Sequence, residues 1–451
     1  MTFARCSFFA ICFTILLACV APRIVPGSHV APRIVAAQTA APAPAAANSR
    51  NAYSLSPGKL AKAIAISRIR NIMYFVGGLW GIVVLWLLLV TRALAHLEVW
   101  AQGISARRWV QGLVFFAAFL VIATLASLPL DWFSQHVEKS YEISVQGWGG
   151  WIADQGKALG LSLLFGAPIL LFFNWIVGRW PRRYWFGIWV ATLPLLVLST
   201  FVLPLVAPVF YKFEPLEKNH AALVAKLETV VARTGIDIPP NRMYLMKASE
   251  KYTGINAYVA GLGATKRYVM WDTATDRLPD DEILFVFGHE SGHYVLHHIP
   301  KLIAGSAIGL FFVYWACAGF AAWLARRFGS RWGLGQVDGN SLASRSGFLA
   351  LLFAISVAGF VLEPASNTVS RYFEHQADIY GQEAIHGIVP DPRKTAVSEF
   401  NHLGESWLED PNPSPFIEFW EYDHPSIKTR ANFALHYDPW AIGGHGEFID
   451  K

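Results

Sequence analysis

Residues 287–298 read FGHESGHYVLHH. His289 and His293 stand four apart, so on an α-helix both imidazoles leave one face, about 6 Å apart along the axis. That spacing suits a single metal ion. Glu290 is turned by about 100° from His289, which sets its carboxylate beside such an ion, where it can take a proton from water. The helix itself is expected from Asp280, Asp281 and Glu282, acidic residues that favour a helix N-terminus, and from Pro300, which closes it. Zinc in a hydrolytic centre takes three protein ligands and keeps one position open, so a third ligand must come from elsewhere. His297 continues the spacing but lies about 12 Å along the axis from His289, out of reach of one ion. With His298 it is expected at the membrane interface, or as a weak metal scavenger. Position 299 is Ile, which excludes a third histidine six residues after the second.

Further along, residues 370–381 read SRYFEHQADIYG. Glu374 and Asp378 are one helical turn apart and sit among the apolar Tyr372, Phe373, Ala377 and Ile379. Glu374 is the candidate third ligand. Asp378 is the candidate acceptor for the distal N–H of a ligating histidine, fixing its tautomer and orientation. The alternative for this pair is an ion pair with Arg371.

The rest of the chain is apolar for a soluble protein: 451 residues, 54% hydrophobic, with a mean hydropathy of +0.36. Six stretches are long enough for a membrane: residues 72–90, 110–130, 159–178, 184–209, 302–324 and the short 347–362. The sequence therefore divides into a signal-like segment (1–21), a linker and N-terminal helix (22–71), four transmembrane helices (72–209), the first half of a catalytic domain (210–301), two more transmembrane helices (302–362) and a second half (363–451). The fold class expected is mainly α: a polytopic membrane helical bundle with a split zincin-like catalytic domain. A helix over 216–234, a strand over 243–246, and a strand pair over 257–260 and 268–271 add a small β-hairpin or sheet. Cys6, Cys12, Cys19 and Cys317 form neither a disulfide framework nor a cysteine zinc site. The net charge of +5, without a long basic block, gives no reason to expect nucleic acid. The partners expected are the lipid bilayer and a peptide or protein substrate, lipid-modified or membrane-associated.

Two further stretches suit peptide hydrolysis. Asn256, Ala257 and Tyr258 open an expected edge strand, whose free backbone groups can receive a substrate as an added strand. His424, in YDHPSIKTR, a stretch expected to form a Pro-rich loop, can donate to the oxyanion formed as water attacks a carbonyl. Taken together, HESGH, SRYFEHQAD, NAYVAGLG followed by KRYVMWDT, and DHPSIKTR, threaded through several spans, resemble the integral-membrane zinc metallopeptidases of the type I CAAX prenyl endopeptidase family. The resemblance covers roughly residues 74–431. It implies one zinc ion held by His289, His293 and Glu374, with Glu290 as general base and Asn256 and His424 contacting substrate or transition state. Two alternatives remain at this point: a broad-specificity protease for membrane-protein quality control, and a zinc-stabilised scaffold or transporter, suggested by an intramembrane Asn174. Arg-rich loops at 91–109, 179–183 and 325–346 face a net acidic 131–154, which places the catalytic face outside the cytoplasm.

Overall fold

The structure, a computed structural model, describes residues 52–449 apart from residue 338. The signal-like segment lies outside the described residues. Helices α1 (Pro57–Val90), α2 (Ala93–Ile104) and α3 (Arg108–Ser140) are followed by α4 (Trp148–Leu161). A π-turn at Ser162–Gly166 carries α4 into α5 (Ala167–Arg179), and α6 (Tyr184–Phe210) closes the first half of the bundle. After the water-facing insertion come α10 (His298–Trp332) and α11 (Arg345–Ile385). Among the described residues, six helices are long and apolar enough to cross a membrane, counting α4 and α5 as one. Their exposed faces carry Leu125, Leu164, Phe172, Leu205, Phe312 and Val361, the side chains expected against lipid.

The last span differs from expectation. In place of a short span followed by a separate helix, α11 runs unbroken for 41 residues. At 1.5 Å per residue it is about 60 Å long, twice the hydrocarbon thickness. Pro364, where a helix end is ordinarily read, sits inside it. One rigid rod thus joins the membrane to Glu374 and Asp378. Asn174, the residue that suggested a transporter, donates from Nδ2 to the Ala343 carbonyl at 3.2 Å and fastens α5 to the turn before α11.

The insertion between α6 and α10 holds β1 (Phe213–Pro215), α7 (Glu217–Thr234), β2 (Met243–Met246), β3 (Ala257–Ala260), β4 (Arg267–Trp271), the short α8 (Asp272–Thr275) and α9 (Asp280–Val295). The sheet order is β1-β2-β4-β3. β3 and β4 form the expected antiparallel pair, β2 lies parallel to β4, and the three-residue β1, which has no readable periodicity, pairs antiparallel with β2. β3 is an edge strand. After α11 come α12 (Pro392–Ser406), α13 (Pro415–Trp420) and α14 (Ile427–His436). The stretch 426–430, read from its sequence as loop, therefore opens a helix.

Buried side chains form two clusters. One lies within the span helices around Phe115, Phe116, Phe119 and Phe348. The other unites sheet, α7, α9, α12 and α14 around Tyr252, Tyr268, Trp271 and Phe287. In this second core α9 is wedged between the Tyr268 ring, 4.9 Å from that of Phe287, and Phe400 of α12, 5.4 Å from Phe285. Against α11 it packs backbone to backbone. A Cβ built on Gly288 would meet Ala384 Cβ at 2.9 Å, one on Gly292 would meet Tyr380 Cβ at 2.9 Å, and one on Gly381 would lie 3.0 Å from the His289 amide nitrogen. Only glycine permits this approach.

Candidate metal centre

That crossing brings α9 and α11 side chains together. His289 Nε2 and His293 Nε2 are 3.2 Å apart. Glu374 Oε2 is 3.3 Å from His289 Nε2, and Oε1 is 3.6 Å from His293 Nε2. Tetrahedral zinc with bonds near 2.0–2.2 Å spaces its ligand atoms about 3.3–3.6 Å apart, so these three side chains match the donor set of such a site and come close to its spacing. Among the described residues they are the group able to hold a metal ion. Glu374 is buried, with 5% of its surface exposed, and a buried carboxylate facing two imidazoles calls for a cation.

The electrostatics agree. Burial opposes protonation of His289, but hydrogen bonds and charges from Asp378 and Glu374 outweigh it and raise the ring to about 10. Burial pushes His293 down to about 3. Two ring nitrogens this close accommodate one proton between them; a divalent cation instead accepts a lone pair from each.

Around these three lies a second ring of contacts. His289 Nδ1 is 3.0 Å from Asp378 Oδ1. Asp378 in turn accepts from Arg430 Nε at 2.9 Å and Nη2 at 2.6 Å, a two-pronged pair whose guanidinium lies over the Phe400 ring at 4.6 Å. Sequence reasoning missed Arg430, although it ends the DHPSIKTR motif. His298, expected at the interface, is instead fully buried and touches His293 Nδ1 at 3.2 Å, while His297 is exposed. The difference arises at His297, whose left-handed backbone (φ 57°) breaks α9 from α10 and turns His298 inward. Arg371 does not pair with Glu374. It donates to the carbonyls of Glu418, Phe419 and Tyr422 and so holds the segment leading to His424.

Glu290 stands beside the three candidate ligands, and burial raises its carboxyl above the usual glutamate range. Its Oε2 accepts from the Val259 amide at 3.2 Å. That bond identifies the open edge of β3. The Asn256 carbonyl accepts from Trp271 N, so Asn256 and Tyr258 direct their backbone at β4, whereas Ala257 and Val259 direct theirs outward. Of the three residues expected to receive a substrate strand, Ala257 alone faces the open edge, and Val259 is its companion. The Tyr258 ring belongs to the core, its hydroxyl 3.9 Å from Met246 Sδ. His424 comes to the other side: Nε2 is 3.1 Å from Glu374 Oε2 and Nδ1 is 2.9 Å from Asp423 Oδ1. Burial opposes its charge, but these carboxylates raise it to about 9.

Comparison with known proteins agrees with this arrangement. The profile of peptidase family M48 matches residues 217–438, and that of the CAAX prenyl protease N-terminal region, described as five membrane helices, matches residues 36–212. A Bacillus subtilis (strain 168) protein named "Uncharacterized metalloprotease YhfN" is 32% identical over 384 residues, covering 84% of this chain and 86% of the relative. CAAX prenyl protease 1 of Saccharomyces cerevisiae is 26% identical over 340 residues, covering 72% of each. The crystal structure of S. mikatae Ste24p superposes with a TM-score of 0.72 over 85% of this chain and 90% of that one, at 23% identity, and shows that the fold is shared. The match to peptidase family M48 supports an enzyme over a scaffold or transporter. The chain belongs to peptidase family M48 and is an integral-membrane metalloendopeptidase.

Proposed function

We propose that the chain holds one zinc ion on His289, His293 and Glu374 and hydrolyses peptide bonds in membrane-associated substrates. The observation that carries this reading is the convergence of three side chains, with the two Nε2 atoms 3.2 Å apart, Glu374 Oε2 3.3 Å from that of His289 and Oε1 3.6 Å from that of His293, and Glu290 alongside. Zinc bound there supplies Lewis acidity toward a carbonyl and acidifies water in its open position. Glu290 takes the proton from the attacking water and returns it to the departing amine, and its burial-raised carboxyl suits both transfers. Asp378, fastened by Arg430, orients His289. His424, whose charged form the Glu374 and Asp423 carboxylates favour, donates from Nε2 to the developing oxyanion. A substrate strand pairs with Ala257 and Val259; the Val259 amide already reaches Glu290, so the track and the base adjoin.

The relatives named CAAX prenyl protease 1 motivate a lipid-modified cysteine peptide as the substrate. Arg-rich segments at 91–109, 179–183 and 325–346 lie at the bundle end away from the candidate zinc ligands, which favours a catalytic face outside the cytoplasm. Glu290→Gln in purified protein tests the chemistry: the variant should keep its zinc and lose hydrolysis by at least about a hundredfold. Wild-type turnover in that variant would remove Glu290 as the base. Prenylated and unprenylated versions of one peptide test the substrate, and equal cleavage of both would favour the broad-specificity reading. A membrane-impermeant thiol reagent applied to intact cells carrying Glu228→Cys, on exposed α7, tests the side.

A further inference from the structure

The two histidines on α9 are backed differently. His289 meets a carboxylate that is itself held by an arginine. His293 meets another imidazole, that of His298. His298 is buried, stacks on Phe373 with centroids 4.5 Å apart and planes at 23°, and bridges two partners. Its Nδ1 lies 3.2 Å from His293 Nδ1, and its Nε2 lies 3.1 Å from Gln376 Oε1. Gln376 Nε2 in turn donates to the Tyr372 hydroxyl at 3.3 Å.

We propose that His298 is a positioning residue that fixes the tautomer of His293 through a hydrogen-bond relay beginning at Gln376. A carboxamide oxygen only accepts, so His298 Nε2 carries the hydrogen; a neutral imidazole has one N–H, so Nδ1 is a bare acceptor. His293 Nδ1 must then donate, which leaves its Nε2 lone pair bare and directed at His289 Nε2 and Glu374. The relay thus presets the ligating form of the one zinc histidine that lacks a carboxylate behind it. On an unbroken helix a residue five positions on would be turned about 140° from His293. The left-handed backbone at His297 makes the contact possible.

The inference rests on the zinc-ligand reading above, and the test separates the two. Zinc dissociation constants are measured at one pH on the purified full chain in detergent, by competition with a chromogenic chelator. His298→Asn places an amide oxygen where Nδ1 stood, whereas His298→Gln places its carboxamide carbon there, which cannot accept, and sends its amide oxygen and nitrogen on toward Gln376. The Gln variant should lose about 10–100-fold in affinity and the Asn variant less than about threefold. A role in packing alone gives the reverse order, because Asn leaves the larger void. Gln376→Leu keeps His298 but releases its tautomer, and should weaken zinc binding without lowering the melting temperature of the zinc-free protein. It also answers the question if the Gln variant fails to fold. Wild-type affinity in both His298→Gln and Gln376→Leu, or an Asn variant weaker than the Gln variant, would overturn the relay. His293→Ala is the separate control: unchanged zinc binding in it would refute the ligand assignment itself.

Discussion

Gly381→Ala adds one methyl group to α11 where it crosses α9. The new Cβ would lie 3.0 Å from the His289 nitrogen, 3.0 Å from Phe285 Cε2 and 3.2 Å from His289 Cα. Carbon contacts rest at about 3.5–4.0 Å, so the helices must part by roughly 0.5 Å. The neighbours have little room to yield: Phe285 is pressed edge-on against Phe400, and the His289 backbone cannot shift without carrying its ring from Glu374. Overpacking of this kind costs about 1–3 kcal/mol. Falling on the zinc-bound state, at about 1.4 kcal/mol per tenfold, that weakens zinc binding by roughly 5–100-fold. Chelator competition reads the dissociation constant, and peptide hydrolysis at rising zinc should show activity partly restored. Gly305→Ala, on α10 with nothing within 4 Å of its added methyl, serves as the matched control and should behave as wild type. If Gly381→Ala bound zinc and cleaved peptide like wild type, the close glycine crossing would not be what assembles the centre.

Glu374→Ala should lower bound zinc from about one per chain toward none, as read by elemental analysis of purified protein, since two histidines alone leave the ion under-coordinated. Arg430→Met leaves Asp378 buried with its main charge partner gone, a loss of about 3–5 kcal/mol that should appear as a lower melting temperature with impaired hydrolysis. Arg430→Lys should rescue it poorly, because an ammonium cannot reproduce the two-pronged contact. Burial pushes Glu399, beside Arg430, up to about 7, so the folded state holds this proton more tightly than the unfolded chain. Stability is intact below the ordinary glutamate range and falls as pH rises through about 7. Relative to wild type, Glu399→Gln should be neutral near pH 4 and more stable by on the order of 3 kcal/mol near pH 8. Melting curves across that range that ran parallel would refute the burial argument.

Much of the site was legible because its parts are local. HExxH sets two candidate ligands and a candidate base within little more than one helical turn, and Glu374 and Asp378 repeat that spacing. The strands at 243–246 and 257–260 announced themselves by apolar composition between turn residues, and the spans by length. β1 escaped notice, being three residues long. The single rod of α11 also escaped, since Glu363 and Pro364 read as a stop but are carried through. His298 was misplaced because helical periodicity takes it off the His293 face, and one left-handed residue at His297 reverses that result. Arg430 carried a motif but no visible partner.

Residue order alone was enough to specify the membrane helices, the helix bearing His289, Glu290 and His293, and the chemical types able to complete a metal site. Those features follow from hydrophobic period and covalent spacing, which act within a few residues. Whether Glu374 reached the histidines, which nitrogen of His293 was left free, and which backbone groups of β3 faced outward depended on folding. Each is set by contacts between segments distant along the chain: the Gly288–Gly381 approach, the His298–Gln376 bond and the pairing of β3 with β4. Such contacts form only when the whole core closes, and their ångström-scale distances decide the chemistry.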